Sequence, residues 1–276
     1  MKKVIVLNSK KLQEQIKIIK EYGISRFHVI TDFDRTLTKC FVDNNKSSTL
    51  IAYMRNGRYL TPDYPDKAFA LFDKYHPIEI DPKISIQEKS KKMDEWWNLH
   101  TDLLVKSGMS KEVIEDIVKK NKLHFRKGAL EFIDILHEHN IPMIIMSAGP
   151  AQLIEEFLKK ENRLYSNIHI IANYFIWDKN GIAIGRRSPV IHTFNKKEIQ
   201  IKELSIYNEL LKRKNVLLLG DSVADIDMIE GFPYENLIKI GFLNENVEEQ
   251  RKDFEKSYDA IILNDGTMDY ANELLK

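Results

Sequence analysis

The chain lacks most of the features that would place it outside the ordinary globular class. It has one cysteine, Cys40, in 276 residues, so no intrachain disulfide can form and a reducing compartment is expected. No apolar run approaches the ~20 residues that a membrane helix needs. The run at residues 4–7, behind Met1-Lys2-Lys3, is too short for the apolar segment of a signal peptide. An excess of one charge is missing too. With 42 Lys+Arg against 41 Asp+Glu the net charge is +1, which offers no strong field to a nucleic-acid polymer or an anionic membrane surface. Internal repeats and low-complexity segments are absent. These absences point to a soluble cytoplasmic protein. The oligomeric state is not legible, and a monomer is the simplest expectation.

What is present is an alternation. Residues 9–22 carry Leu12, Ile16 and Ile19 at helical spacing. Phe27-His28-Val29-Ile30-Thr31 is a β-rich run that delivers Asp32-Phe33-Asp34 to its end. After residue 125 the pattern predicts helix 129–139, strand 141–146, helix 151–160, strand 168–173, a hairpin about Asp178-Lys179-Asn180-Gly181, helix 196–213, strand 216–219, and strands at 238–240 and 260–263. The strand runs are apolar throughout, as expected for strands covered on both faces. Strands alternating with helices predict an α/β fold, a doubly wound parallel sheet with its site beyond the carboxyl ends of the strands. Residues 40–124 break the alternation. Their first part reads as polar and irregular, and 85–121 as successive helices holding Trp96, Trp97, Leu103, Leu104, Ile114 and Ile117. The expected organisation is a catalytic core, 1–39 with 125–276, and an inserted helical cap, 40–124.

Three strand ends carry polar clusters: Asp32-Phe33-Asp34-Arg35-Thr36; Ser147-Ala148-Gly149; and Gly220-Asp221-Ser222 followed by Asp225 and Asp227. If these strands are neighbours, four or five carboxylates meet at one point. Such a cluster repels itself unless a cation sits in it, and an all-oxygen donor set suits Mg²⁺. A carboxylate is also a reasonable nucleophile toward phosphate, since it is ionised at neutral pH without an activating base. Ser147 and the small residues after it offer hydroxyl and backbone donors to phosphate oxygens.

These clusters resemble the motifs of the haloacid dehalogenase superfamily. Asp32, Asp34 and Thr36 match its Asp-x-Asp-x-Thr strand tip, Ser147 its second motif, and Asp221 with Asp225 its acidic fourth. The order of Thr31-Asp32-Phe33-Asp34, Ile78-Glu79-Ile80-Asp81-Pro82, Glu95-Trp96-Trp97, Phe125 to Gly128, Ser147-Ala148-Gly149, Phe194-Asn195-Lys196 and Leu219-Gly220-Asp221-Ser222 is similar to that of the cytosolic 5′-nucleotidase III (pyrimidine 5′-nucleotidase) family. Ile240 to Asn244 and Ser257-Tyr258-Asp259 extend the resemblance to almost the whole chain.

The resemblance implies roles. Asp32 would be the nucleophile and a Mg²⁺ ligand. Asp34 would be the general acid and base, its backbone carbonyl also facing the metal. Asp221 would be a further ligand and Asp225 a support behind it. Ser147, Ala148 and Lys196 would hold phosphate. Glu79 would accept hydrogen bonds from the base, with Trp97 stacked on it. Adjacent residues on a helix point about 100° apart, so of the two tryptophans only Trp97 is expected in the pocket, with Trp96 in the cap core. Two positions depart from the pattern. His100 stands where the family carries serine, and its protonation would oppose a cationic base. Pro150 stands where an apolar residue is usual. The expected activity is Mg²⁺-dependent hydrolysis of nucleoside 5′-monophosphates, CMP and other pyrimidine nucleotides together with 7-methyl-GMP. The rival readings are a phosphatase for another metabolite such as phosphoserine, which shares the core motifs, and a catalytically silent nucleotide-binding protein, which would have lost Asp32 or Asp34. His28 and His192 show no ligand spacing and read as structural, and Cys40 has no sequence partner that would activate it.

Overall fold

The computed structural model describes residues 4–197, 201–202 and 204–276. The chain begins with β1 (Val4–Val6) and α1 (Ser9–Tyr22), whose first turn is closed by the Asn8 side chain accepting from Lys11 N at 3.0 Å, a cap worth about 1 kcal/mol. Next come β2 (Phe27–Thr31), the small hairpin β3 (Phe41–Val42) with β4 (Asn45–Lys46), and four helices: α2 (Leu50–Asn56), α3 (Tyr64–Ile80), α4 (Ile86–Lys106) and α5 (Lys111–Lys120). The alternation then runs α6 (Ala129–Glu138), β5 (Met143–Pro150), α7 (Ala151–Lys160), β6 (Ile168–Asn173), the hairpin β7 (Phe175–Trp177) with β8 (Ala183–Arg186), α8 (Tyr207–Leu210), β9 (Asn215–Gly220), a 3₁₀ segment Val223–Ile229, β10 (Asn236–Leu243), α9 (Val247–Ser257), β11 (Ala260–Leu263) and α10 (Asp269–Leu275).

Seven strands form one sheet in the order β1-β11-β10-β9-β2-β5-β6. Every pair is parallel except β1 against β11. From β2 the chain winds outward to β5 and β6 on one side, and later to β9, β10 and β11 on the other. The reversal of direction therefore falls at β2, where a doubly wound sheet opens its crevice. Side chains alternate between the faces as strand geometry demands. Val29, Ile145, Leu217 and Leu219 pack in one apolar cluster with Leu12, Phe132 and Ile133. Ile30, Ile144, Leu218 and Ile261 pack in the opposite one with Leu210, Ile229 and Phe254. Burying each such side chain contributes about 1.5–3 kcal/mol, which is why β2 and β9 read as unbroken apolar runs. The α/β class and the parallel sheet expected from the sequence are present, and among the described residues no helix is long and apolar enough to cross a membrane.

Two local expectations need correction. The stretch before residue 85 is not irregular: it contains α2 and α3. Gly57, Pro62, Pro65 and Pro77 make it look like a loop, yet Pro65 sits in the first turn of α3, where its missing N–H costs nothing, and Pro77 sits one turn from the end. Of the helix expected at 196–213, residues 198–200 and 203 lie outside the described residues. Lys196 and Lys197 are in a loop, and Tyr207–Leu210 forms a single turn. Residues 4–7 contain an edge strand, β1, paired antiparallel to β11.

Candidate active site

β2 lies between β9 and β5, so the three polar strand ends meet. Asp32 follows β2 directly, and its N–H donates to Leu219 O of β9 at 3.0 Å. Ser147 lies within β5, and Asp221 follows β9. These tips form one wall of a cavity of about 580 Å³. The other wall comes from α2, α3 and α4, which supply Arg55, Phe72, His76, Glu79, Trp96, Trp97 and His100. Asp32, Asp34, Ser147, Ala148, Lys196, Asp221, Asp225, Glu79, Trp97 and His100, singled out from sequence, all face this cavity.

At the strand tips Lys196 Nζ donates to Asp32 Oδ1, and to Asp225 Oδ1 at 3.1 Å. The other oxygen of Asp225 accepts from the N–H groups of Asp221 (3.1 Å) and Ser222 (3.0 Å). Asp225 is thereby held on all sides, while Asp221 keeps its carboxylate for other work. Gly220 permits this closeness, because a Cβ there would lie 2.5 Å from Asp225 Cβ and 2.8 Å from the Tyr258 hydroxyl. Tyr258 donates to Ser222 O at 2.5 Å, fixing the turn. The buried Arg126, part of the Phe125 to Gly128 stretch but given no role from sequence, fastens the loop after β2 from behind. It donates to the carbonyls of Arg35, Thr36 and Gly266 and pairs with Asp265 at 3.2 Å. Only the three-dimensional count of its partners reveals that role.

The electrostatics follow from crowding. Burial raises the pKa of Asp32 to about 7, against the pull of Lys196 and with repulsion from Asp225 and Asp34 added. Burial, then Asp32 and Asp225, raise Asp221 well above the carboxylate range. Burial opposes the charge of Lys196, but Asp225 and Asp32 outweigh it and keep the ammonium protonated. Asp34 accepts from Leu50 N at 3.2 Å, at the first residue of α2. A helix N-terminus favours an anion, yet burial still lifts Asp34 to about 6. Ser147 Oγ accepts from Gly149 N at 3.0 Å, which leaves its hydroxyl hydrogen free to donate. Cys40 is buried and its thiol is pushed up to about 11 by that burial, so it is no thiolate at neutral pH.

The helical wall differs from expectation in detail. Trp96 and Trp97 both line the cavity and both are buried. Trp96 stacks on Tyr75 with centroids 5.9 Å apart, and its Nε1 has no hydrogen-bond partner. It is core and pocket at once. Glu79 is half-buried and engaged, accepting from Thr193 Oγ1 at 2.8 Å, with His76 Nδ1 3.2 Å from its other oxygen. His100 Nε2 lies 3.0 Å from the Tyr64 hydroxyl. Burial, with Arg55 nearby, lowers His100 to about 4, so it is neutral at physiological pH and the expected conflict between a charged His100 and a cationic base does not arise. Phe72, His76 and Glu79 stand at i, i+4 and i+7 of α3, one stripe of a helix. That spacing is the signal the proline-rich reading concealed.

A model of the family "Pyrimidine 5′-nucleotidase (UMPH-1)" matches residues 35–276. The chain belongs to the pyrimidine 5′-nucleotidase family. A Gallus gallus protein, the 7-methylguanosine phosphate-specific 5′-nucleotidase, is 37% identical over 262 residues, 95% of this chain and 91% of that one. The crystal structure of cytosolic 5′-nucleotidase IIIB bound to cytidine superposes with a TM-score of 0.91 at 29% identity, covering 100% of this chain and 93% of the other. A phospho-aspartyl intermediate analogue of phosphoserine phosphatase aligns with a TM-score of 0.54 at 16% identity, over 91% of this chain and 99% of that one, which shows a shared fold alone. The resemblance read from the motifs therefore holds. The chain is a 5′-nucleotidase, a nucleotide 5′-monophosphatase.

The donor set at the strand tips could hold a divalent metal. Oxygen atoms of Asp32, Asp221 and Asp225 lie within 4.8 Å of one another, and hard oxygen donors suit Mg²⁺. The raised carboxyls give a sign. A carboxyl whose folded pKa exceeds its unfolded value binds more protons in the folded state. The metal-free protein therefore loses stability through Asp32 as pH rises from about 4 through about 7. A cation must displace those protons, so it binds more tightly as pH rises. Mg²⁺ is expected to raise the melting temperature by roughly 5–10 °C at pH 8 and by less than half of that at pH 5.5. Asp221→Asn should remove most of the shift. An equal shift at both pH values, read by differential scanning fluorimetry, would refute this metal site.

Proposed function

We propose that the chain hydrolyses CMP, other pyrimidine nucleoside 5′-monophosphates and 7-methyl-GMP through a phospho-aspartate on Asp32. The observation that carries the reading is the polarity of one cavity, with carboxylates and Lys196 at the strand tips and tryptophans with an engaged glutamate opposite. In this reading 40–124 is a cap that selects the base and 1–39 with 125–276 is the core that performs the chemistry, in the cytoplasm. Mg²⁺ bound among Asp32, the Asp34 carbonyl, Asp221 and, behind them, Asp225 would neutralise phosphate and carboxylate charge.

Lys196, Ser147 and the Ala148 N–H hold the phosphate oxygens and aim phosphorus at Asp32. An Asp32 oxygen forms the new bond to phosphorus as the bond to the nucleoside 5′-oxygen breaks, and Asp34 gives that oxygen its proton. A carboxyl near 6 suits this exchange, being protonated in part at neutral pH and ready to reclaim a proton. In the second half Asp34 takes a proton from water, the water oxygen bonds phosphorus, and Asp32 leaves as carboxylate. Glu79 receives amine or N1–H donors of the base, and Trp97 offers its face. A 7-methylated guanine is cationic, and tryptophan is the best cation–π partner, worth roughly 0.5–2 kcal/mol. The family relative from Gallus gallus, named for 7-methylguanosine phosphate, and the cytidine-bound structure support the two substrate classes.

The test is phosphate release from a panel of monophosphates with Mg²⁺ and then with chelator. CMP and 7-methyl-GMP are expected to be hydrolysed, AMP poorly, and none in chelator. Trp97→Tyr should lower kcat/KM for 7-methyl-GMP about threefold more than for CMP, less than 1 kcal/mol of lost cation–π energy. Equal losses would take Trp97 out of base selection, and release from phosphoserine alone would overturn the nucleotide reading.

A further inference from the structure

The helical wall contains a cation that the proposed chemistry does not use. Arg55, on α2, lines the cavity beside Trp97 and His100. Its guanidinium lies 4.2 Å from the ring centroid of Phe72 and 5.1 Å from that of Phe69. It is half-buried, forms no hydrogen bond or ion pair with the described residues, and its Nε is buried without a partner. Asp73 and Tyr64 act on it only through space. Glu79, the one carboxylate that the described residues place on the helical wall, is already held by Thr193 and His76.

A guanidinium offers five donors and no acceptor, in a planar fork. Its buried Nε lacks a partner, and a ligand that supplies acceptors would match it. Glu79 is the opposite pole, acceptor only. Trp97 lines the same cavity as both. A base that fits both groups shows donors to one and two coplanar acceptors to the other. Cytosine carries its amine, N3 and O2 in a row along one edge, so with the amine toward Glu79 its N3 and O2 are left for Arg55, and guanine carries N1–H and its amine on one edge with O6 and N7 on the next. Methylation of guanine at N7 removes one of the two acceptors and adds a positive charge that meets Arg55.

We propose that Arg55 is a specificity-determining residue of this pocket, donating to the acceptor edge of a neutral base and repelling a cationic one. The proposal rests on the nucleotidase reading given above and deepens it. Trp97 attracts a 7-methylated base and Arg55 opposes it, so the chain accepts both substrate classes while favouring the neutral one.

The test uses the full chain with Mg²⁺ and compares kcat/KM for CMP and for 7-methyl-GMP in wild type, Arg55→Met, Arg55→Gln and Arg55→Lys. Wild type should favour CMP. Arg55→Met should move the 7-methyl-GMP to CMP ratio upward by roughly tenfold, and Arg55→Gln, which keeps a polar end without charge, should move it in the same direction if the methionine variant does not fold. Arg55→Lys keeps the charge and should stay closer to wild type than either. A ratio within twofold of wild type in the folded neutral variants overturns the proposal. Binding of cytidine and 7-methylguanosine, read by quenching of tryptophan fluorescence, requires no turnover and separates the two readings. Arg55-dependent selectivity in binding without phosphate release from any nucleotide would overturn the hydrolase mechanism and leave Arg55 as the selector. Phosphate release with an unmoved ratio would overturn the Arg55 assignment alone.

Discussion

Asp32→Asn is expected to reduce phosphate release from CMP to below about 1% of wild type, a loss exceeding about 3 kcal/mol of transition-state stabilisation. The amide keeps the shape of the carboxylate but has no charge with which to attack phosphorus, and it is a poor ligand for a hard cation. The fold should survive. Lys196 retains Asp225 at 3.1 Å, and removing one of several crowded carboxylates relieves the repulsion that raises Asp221. The metal-free variant should therefore melt no lower than wild type at pH 8. A variant that folds, melts normally and keeps more than a few per cent of activity would remove Asp32 from the nucleophile's role.

The second large effect is expected at Asp34. Asp34→Asn should slow CMP hydrolysis by about 10²–10⁴-fold, the range for a positioned acid and base. The loss should be smaller with p-nitrophenyl phosphate, whose leaving group departs without a proton. The pH profile carries an independent signature. The acid form of Asp34 is lost as pH rises through about 6, so kcat/KM for CMP should fall above that pH in wild type and lose this limb in the variant. An unchanged profile for natural nucleotides would assign the proton transfer elsewhere.

The sheet and its acidic tips were legible because both depend on residue type alone. A strand covered on two faces must be apolar throughout, and a residue such as Asp32 at the end of such a run reaches the crevice whatever surrounds it. The helical wall was less legible. Proline carries opposite meanings in the first turn of a helix and in its middle, so Pro65 and Pro77 obscured α3 and the stripe of Phe72, His76 and Glu79 upon it. Adjacent residues on a helix point about 100° apart, which suggested that only one of Trp96 and Trp97 could face the substrate. The pocket curves around α4 and takes both. Arg126 and Arg55 illustrate the remaining limit. One satisfies three carbonyls brought together from residues 35, 36 and 266, the other satisfies none, and neither condition is written in local sequence.

The central claim is a covalent bond between Asp32 and phosphorus, and chemical trapping tests it most directly. Wild-type protein turning over CMP with Mg²⁺ would be quenched in acid, reduced with borohydride, digested and mapped by mass spectrometry. Reduction converts an aspartyl phosphate to homoserine. The account predicts homoserine at position 32 when substrate is present, none without it, and none at positions 34, 221 or 225. Steady phosphate release with no homoserine at position 32, or with homoserine at another of these positions, would contradict it.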